Sequence, residues 1–196
     1  MRVIFQSGSA GWLLAGAVTV LITAGMAVGA AAVEARPAGV TVPGLWQGEG
    51  CFCHGEPYPG TVILSSAIEA PPTVTAGTTV SVTLSLTGTS DQQGPLGLGG
   101  GFNLSASRGL LAPGPTARYV ADSMELTHLT RTATSWTVHW TAPPTNGPAQ
   151  LTAALLLANG DGKTSFDSWT IISRTVQVVG GVELRFVPVA ALAAVP

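Results

Sequence analysis

Short runs with a period of two dominate this chain after its first 35 residues. In the run from 80 to 86 (VSVTLSL), apolar residues alternate strictly with Ser and Thr. Successive side chains of a β-strand point to opposite faces, so this pattern indicates a strand with one buried face. Trp136, Val138 and Trp140 alternate in the same way. Prolines at 143 and 144 end that run, because proline cannot donate to a central ladder.

Similar runs with turn formers between them cover most of the chain. No stretch after residue 35 has a helical period. About seven short strands separated by turn signals predict an all-β fold, an antiparallel β-sandwich of two packed layers. We predict strands over the segments 61–65, 80–86, 102–106, 124–128, 136–141, 150–158 and 169–179.

The first 35 residues form a hydrophobic leader. Arg2 supplies a positive charge, residues 11–32 contain no charged side chain, and small residues cluster at 30–32 and 33–35. This order is typical of a signal peptide with a cleavage site. An uncleaved N-terminal anchor stays open as an alternative, because about 20 apolar residues can span a bilayer. In both cases the remaining chain is expected outside the cytoplasmic membrane, either extracellular or at the cell surface.

These features divide the chain into four segments. Residues 1–35 are the signal peptide or N-terminal anchor, and 36–60 are a linker that contains a cysteine motif. Residues 61–180 are the β-sandwich domain, and 181–196 are a C-terminal tail. The apolar residues 186–196 are too few to span a bilayer. They are expected to be either a last strand with a tail or the start of a truncated membrane anchor.

The charge pattern and the motifs exclude several classes of function. Charged residues make up 9% of the chain, the formal net charge is −2, and no basic run is present, so we expect no nucleic-acid partner. No serine lies in a nucleophile elbow, and the glycines before Phe102 precede a strand instead of the helix that a phosphate-binding loop requires. We predict that the chain is not an enzyme and that its partner is the cell envelope or a redox protein.

The segment Cys51-Phe52-Cys53-His54 contains most of the chemistry visible in the sequence. Thiolate and imidazole bind soft and borderline metals, and a Cys-x-x-Cys-His motif attaches haem c. Free thiols tend to oxidise outside the cytoplasm. Four interpretations stay open: covalent haem c with His54 as an axial ligand, a copper or zinc site, a strained Cys51–Cys53 disulfide, and a disulfide with another chain.

A second ligand for a haem or metal has to come from another part of the chain. His128 and Met124 are the candidates for the second axial ligand of a haem. His128 or His139 would complete a copper or zinc site with the motif. A hydrogen-bonded histidine at a sheet edge is the competing interpretation for His128. His139 is expected to face solvent, because it alternates with Trp136 and Trp140.

Asn159, Asp161 and Asp167 form a candidate calcium site. Their side-chain oxygens are ligands of the kind that calcium prefers. The loop lacks the acidic spacing of an EF-hand. An Asn-Gly/Asp-Gly turn is therefore the favoured interpretation of this segment.

An ordered set of segments resembles a known family of extracellular domains. The segments are GCFCHG (50–55), GFNL (101–104), LTH (126–128), WTVHWTAP (136–143) and ANGDG (158–162), followed by Asp167. In this order they resemble the prokaryotic domains related to the reelin N-terminal (reeler) domain, including the "choice-of-anchor V" group. The resemblance extends from residue 50 to residue 178.

The resemblance implies a reeler or immunoglobulin-like β-sandwich that is secreted or tethered at the cell surface. Many relatives begin with Cys-x-x-Cys-His, and a later Thr-His, here Thr127-His128, can supply a second axial ligand. This chain departs from that pattern, because one residue and not two separates Cys51 from Cys53. The expected function is that of an exported cell-surface protein that binds haem c or a metal for electron transfer. The alternative is a non-catalytic adhesion or structural module of the cell envelope, with its cysteines disulfide-bonded.

Overall fold

Ten β-strands and one 3₁₀ turn, Phe52–His54, make up the regular structure of the described residues. The computed structural model describes residues 51–120 and 124–182. The strands are β1 (Thr61–Glu69), β2 (Thr73–Thr75), β3 (Thr79–Ser90), β4 (Gly99–Ala106), β5 (Leu110–Ala112), β6 (Ala117–Tyr119), β7 (Leu126–His128), β8 (Ser135–Thr141), β9 (Gly147–Ala158) and β10 (Ser168–Val179).

The strands form two sheets. The four-stranded sheet has the order β1-β3-β8-β5, and the six-stranded sheet has the order β2-β10-β9-β4-β7-β6. Every pairing between these strands is antiparallel except that of β10 with β2, which is parallel. The predicted all-β sandwich is confirmed. Strands β2, β5 and β6 were not predicted, because three residues are too few to show an alternating pattern.

The core lies between the two sheets and follows the predicted alternation. Trp136, Val138 and Trp140 on β8 are at most 1% exposed. The Trp136 ring packs on Phe102 of β4, with ring centroids 5.2 Å apart. The same core cluster contains apolar residues of β3 and β9, including Val82, Leu84, Leu86, Leu151, Leu155 and Leu157.

The outer face of the six-stranded sheet is also shielded in its centre. Because Phe102 faces the core, its neighbours Gly101 and Asn103 face outward. Asn103 opposes Ala154 on β9, and Gly101 opposes Leu156 in the next row. All four of these outward-facing residues are buried. A part of the chain therefore covers this face, and that part includes the cysteine motif.

The predicted leader and tail lie almost entirely outside the described residues. The cleavage site, the N-terminal anchor and the apolar segment 186–196 all fall in that undescribed part. In residues 51–120 and 124–182, no helix has the length and apolar character needed to cross a membrane.

Candidate functional site

The cysteine motif forms a tight turn on the outer face of the six-stranded sheet. The His54 N–H donates to the Cys51 carbonyl at 2.8 Å, which closes the 3₁₀ turn. Cys51 packs against the buried Ala154 of β9, and Ile171, which opposes Ala154 on β10, packs against Ala154 as well. Trp169 holds the end of the turn, because its Nε1–H donates to the Gly55 carbonyl at 2.8 Å.

His54 is oriented by a buried carboxylate. Its Nδ1 lies 2.7 Å from Oδ2 of Asp167, whose side chain is 1% exposed. With Nδ1–H donating to the carboxylate, Nε2 keeps its lone pair, and it makes no hydrogen bond to the described residues. Histidines that bind metals commonly have this arrangement, in which a carboxylate fixes the tautomer and the ring orientation.

The loop between β9 and β10 fixes the position of Asp167. Oδ1 of Asp167 accepts the backbone N–H of Asn159 at 2.9 Å, and its carbonyl accepts the N–H of Tyr58 at 2.9 Å. The preceding residue, Phe166, has a positive φ of 65°, a conformation that is uncommon for residues other than glycine. Thr61 stabilises that conformation by donating its hydroxyl to the Phe166 carbonyl at 2.6 Å. The carboxylate is therefore held from both sides before any ligand binds.

The environment of Cys51 favours a neutral thiol. Burial, the nearby Cys53 and the charge of Asp167 raise the pKa of Cys51 to about 12. Both cysteines are free thiols. Side chains two residues apart on a helical turn do not face each other, so this backbone conformation does not suit a Cys51–Cys53 disulfide.

His128 is the last residue of β7, and its side chain contacts the backbone of β4. The Phe102 N–H donates to His128 Nδ1 at 3.1 Å, and the Thr127 hydroxyl donates to the Phe102 carbonyl at 2.8 Å. These two side chains replace the backbone partners that β4 loses where β7 ends. The ring rests on Gly101, where an added Cβ would lie only 2.5 Å from His128 Cε1. Gly101 therefore provides the space for the ring.

The ring of His128 is largely buried. Burial lowers the pKa of His128, the hydrogen bond with the Phe102 backbone opposes that shift, and the nearby charge of Arg118 adds to it. No group of three His, Cys, Asp or Glu side chains in residues 51–120 and 124–182 is arranged to hold a metal ion. Within the motif, His54 is the imidazole whose second nitrogen is unused and whose ring orientation is fixed by Asp167.

The other two ligand candidates are His139, which lies away from the motif, and Met124, which is exposed to solvent. His139 opposes Ser81 in the four-stranded sheet and faces away from the core that Trp140 occupies. It therefore lies on the surface opposite the motif. Met124 precedes β7 and is 60% exposed, so it does not share the buried face of Leu126.

The candidate calcium ligands are engaged in the hydrogen bonds of their own loop. Asn159 Oδ1 accepts the Asp161 N–H at 3.1 Å, and Asp161 Oδ1 accepts the Lys163 N–H at 2.7 Å. Asp167 bonds His54 and Asn159. These contacts form the predicted turn. Calcium binding by these residues stays a prediction.

The sequence indicated Asp167 but not its role. Asp167 is separated from His54 by 113 residues, and no local spacing rule connects them. The indication in the sequence was the order of the segments: the cysteine motif comes first, the ANGDG turn follows, and Asp167 comes after that turn.

Comparisons with known proteins assign no family to the chain. No family model matches it, and no curated protein matches it. Among solved structures, a cohesin module of a Clostridium perfringens family 33 glycoside hydrolase has 14% identity and a TM-score of 0.42, covering 60% of this chain and 97% of that one. A superoxide reductase (neelaredoxin) from Ignicoccus hospitalis has 11% identity and a TM-score of 0.37, covering 66% and 86%.

A third distant structural neighbour is a fimbrial protein. The major subunit of aggregative adherence fimbriae type I from Escherichia coli has 14% identity and a TM-score of 0.36, covering 64% of this chain and 98% of that one. The distant neighbours thus include an adhesion subunit and a metal redox protein. At these identities neither similarity transfers an activity to this chain.

Proposed function

We propose that this chain is an exported cell-surface protein that holds a redox group at Cys51, Cys53 and His54 and uses it for electron transfer. The observation that carries the proposal is the 2.7 Å contact between His54 Nδ1 and the buried carboxylate of Asp167. A histidine oriented in this way presents Nε2 as a ligand without a further loss of side-chain freedom.

Haem c is the group that fits the chemistry of the motif best. Cys51 packs against the apolar side chain of Ala154, and its thiol is neutral near pH 7 because its pKa is raised to about 12. A thioether carries no charge, so attachment of a haem at Cys51 would not require a thiolate in this buried position. Haem iron, when bound, supplies a one-electron couple. Cys51 and Cys53 would attach it, and Asp167 would orient His54 as its ligand.

A metal ion held by thiolates fits the same residues less well. Metal-binding cysteine must lose its proton. For Cys51 that step opposes burial and the negative charge of Asp167, the causes that raise its pKa. In a copper or zinc site, the charge of the cation would therefore have to offset the free-energy cost of deprotonating Cys51. We rank it after haem c.

The second candidate function is a non-catalytic adhesion or structural module of the cell envelope. One set of contacts favours it: Cys51 packs on the sheet, Trp169 bonds Gly55, and Tyr58 bonds the Asp167 backbone. These contacts hold the motif in place without any ligand. In this interpretation the motif only closes the outer face of the six-stranded sheet.

Expression in a host with haem c maturation machinery distinguishes the redox protein from the structural module. The full chain, its His54→Ala variant and its His139→Ala control are exported from that host, purified and stained for haem after denaturing electrophoresis. The redox proposal predicts a stained band for the parent and for His139→Ala, and an altered visible spectrum for His54→Ala. Parent protein that is folded, colourless and free of transition metal contradicts the proposal and favours the structural module.

A further inference from the structure

Three of the four sheet edges are formed by very short strands. The six-stranded sheet ends in β2 and β6, the four-stranded sheet ends in β5 on one side, and each of these strands has three residues. A very short edge strand is one of the ways in which proteins avoid pairing with another chain. The fourth edge strand, β1, has nine residues, and among the described residues only β3 pairs with it. The fold therefore leaves one long edge open.

The sequence of β1 lacks the charges and prolines that commonly protect a long edge. Residues 61–68 (TVILSSAI) contain neither, and the one charged residue, Glu69, is the last residue of the strand. The register with β3 shifts at Leu64, which is the extra residue of a β-bulge. This bulge adds apolar surface to the edge, because Leu64 is 67% exposed and Val62 is 46% exposed. An open edge of this kind is a template for another strand.

An uncharged groove lies beside the protruding leucine. It has a volume of about 490 Å³, it is lined by residues of β1, of the segment before β1 and of the start of β10, and none of its lining residues is charged. Two aromatic residues of the lining have fixed positions. Tyr58 packs edge-on against Phe166 with ring centroids 5.0 Å apart, and Trp169 donates to the Gly55 carbonyl. The edge thus combines an apolar protrusion, Leu64, with a groove that can receive one.

We infer that β1 is a docking surface for the β1 strand of a second copy of this chain, with the two strands antiparallel across a two-fold axis. A two-fold interface uses the same patch on both copies, so that patch must contain both members of each contact. The protrusion and the groove of the β1 edge meet this requirement. The pairing joins two four-stranded sheets edge to edge.

The charges of the edge favour the antiparallel direction. Two antiparallel β1 strands place their Glu69 residues at opposite ends of the paired segment, whereas parallel strands in register would place them side by side. Like charges that directly oppose each other destabilise a strand pair. The rest of the strand, residues 61–68, introduces no charge into the interface. The inference does not depend on what the cysteine motif binds.

Sedimentation equilibrium of the exported full chain tests the inference. The samples contain reductant, so that the free thiols of Cys51 and Cys53 cannot link two copies. We expect a reversible monomer–dimer equilibrium. Leu64→Lys is expected to raise the dissociation constant by about ten-fold or more, because a charge replaces an apolar side chain that the dimer buries. Leu110→Lys is the matched control, because Leu110 is 59% exposed on β5, the opposite edge of the same sheet. The control should leave the dissociation constant unchanged.

Amide hydrogen exchange at low and high protein concentration locates the interface. We expect protection of the β1 amides to increase with concentration in the parent and in Leu110→Lys, but not in Leu64→Lys. Urea denaturation checks that both variants are folded. A parent that stays monomeric at every concentration overturns the inference. A dimer that both substitutions weaken equally, a dimer that protects amides outside β1 instead, and growth beyond a dimer each overturn it as well.

Discussion

His54 and Asp167, 113 residues apart in sequence, meet at 2.7 Å through Nδ1 and a carboxylate oxygen. The carboxylate is buried and its second oxygen is held by the Asn159 N–H at 2.9 Å. The pair connects the cysteine turn to the loop between β9 and β10. It therefore orients the His54 ring and adds to the contacts that hold the motif in place.

Replacing Asp167 with Asn tests this contact. Asn keeps an acceptor for one neighbour but removes the charge, so we expect a loss of about 1–3 kcal/mol in the free energy of unfolding, measured by urea denaturation. In protein that carries haem or metal, retention of that group is expected to fall by about 10- to 100-fold. Asp161→Asn in the same loop is the matched control. Equal effects of the two substitutions would show that the His54 contact has no special role.

Alkylation of Cys51 tests its buried position. The pKa of about 12, against an ordinary 9.0, leaves very little thiolate near neutral pH. In the Cys53→Ser variant at pH 8, we expect iodoacetamide to modify Cys51 on the order of 100- to 1000-fold more slowly than a free thiol, since the thiolate is the nucleophile. The rate should rise to that of a free thiol in denaturant. Fast modification of the folded variant is incompatible with the packing of Cys51 on Ala154.

The pH dependence of stability tests the environment of His128. Its pKa in the folded chain lies below the ordinary 6.5, chiefly because of burial. In the unfolded chain His128 takes up a proton near pH 6.5, whereas in the folded chain it does so only at lower pH. Stability is therefore expected to fall as the pH drops below 6.5 towards the folded pKa, and to be unaffected by this group above 6.5. Unfolding free energies of the parent and His128→Gln between pH 7 and pH 5 should diverge in slope; parallel curves contradict the assignment.

Trp140→Ala tests the register of the sandwich. Trp140 is 0% exposed, and its Nε1–H donates to the Arg108 carbonyl at 2.9 Å. Truncation is expected to reduce the free energy of unfolding by about 3–5 kcal/mol, the usual cost for a buried aromatic residue. The control is Leu110→Ala on β5, because Leu110 is 59% exposed. That substitution should change stability by less than about 0.5 kcal/mol. A loss for Trp140→Ala as small as the one expected for Leu110→Ala would mean that Trp140 does not belong to the core.

Much of the fold could be predicted because strands such as β3 and β8 alternate between buried and exposed residues. The spacing of Trp136, Val138 and Trp140 is enough to identify both a strand and its buried face. Met124 shows the limit of that method: it continues the alternation of Leu126 and His128 in sequence, yet β7 begins only at Leu126. A period of two identifies residues that share a face, but it does not show where hydrogen bonding to the neighbouring strand stops.

The candidate site was only partly predictable, for the same reason. The motif Cys51-Phe52-Cys53-His54 is local and its chemistry is visible in four residues. Its partner Asp167 lies beside the motif because the sheet topology places the end of β9 and the start of β10 next to the turn. The hydrogen bond that makes Nδ1 of His128 an acceptor depends on where β7 ends. Neither contact follows from spacing along the chain.

The visible spectrum of the exported full chain, oxidised and then reduced with dithionite, shows whether the motif holds a covalent redox group when it is recorded beside a Cys51→Ser/Cys53→Ser double variant. We expect a Soret band with sharpened α and β bands on reduction for the parent, retained after denaturation, and loss of the chromophore on denaturing the double variant. A parent with no visible absorption and no bound transition metal would contradict the claim, and the motif would then be a structural closure of the sheet.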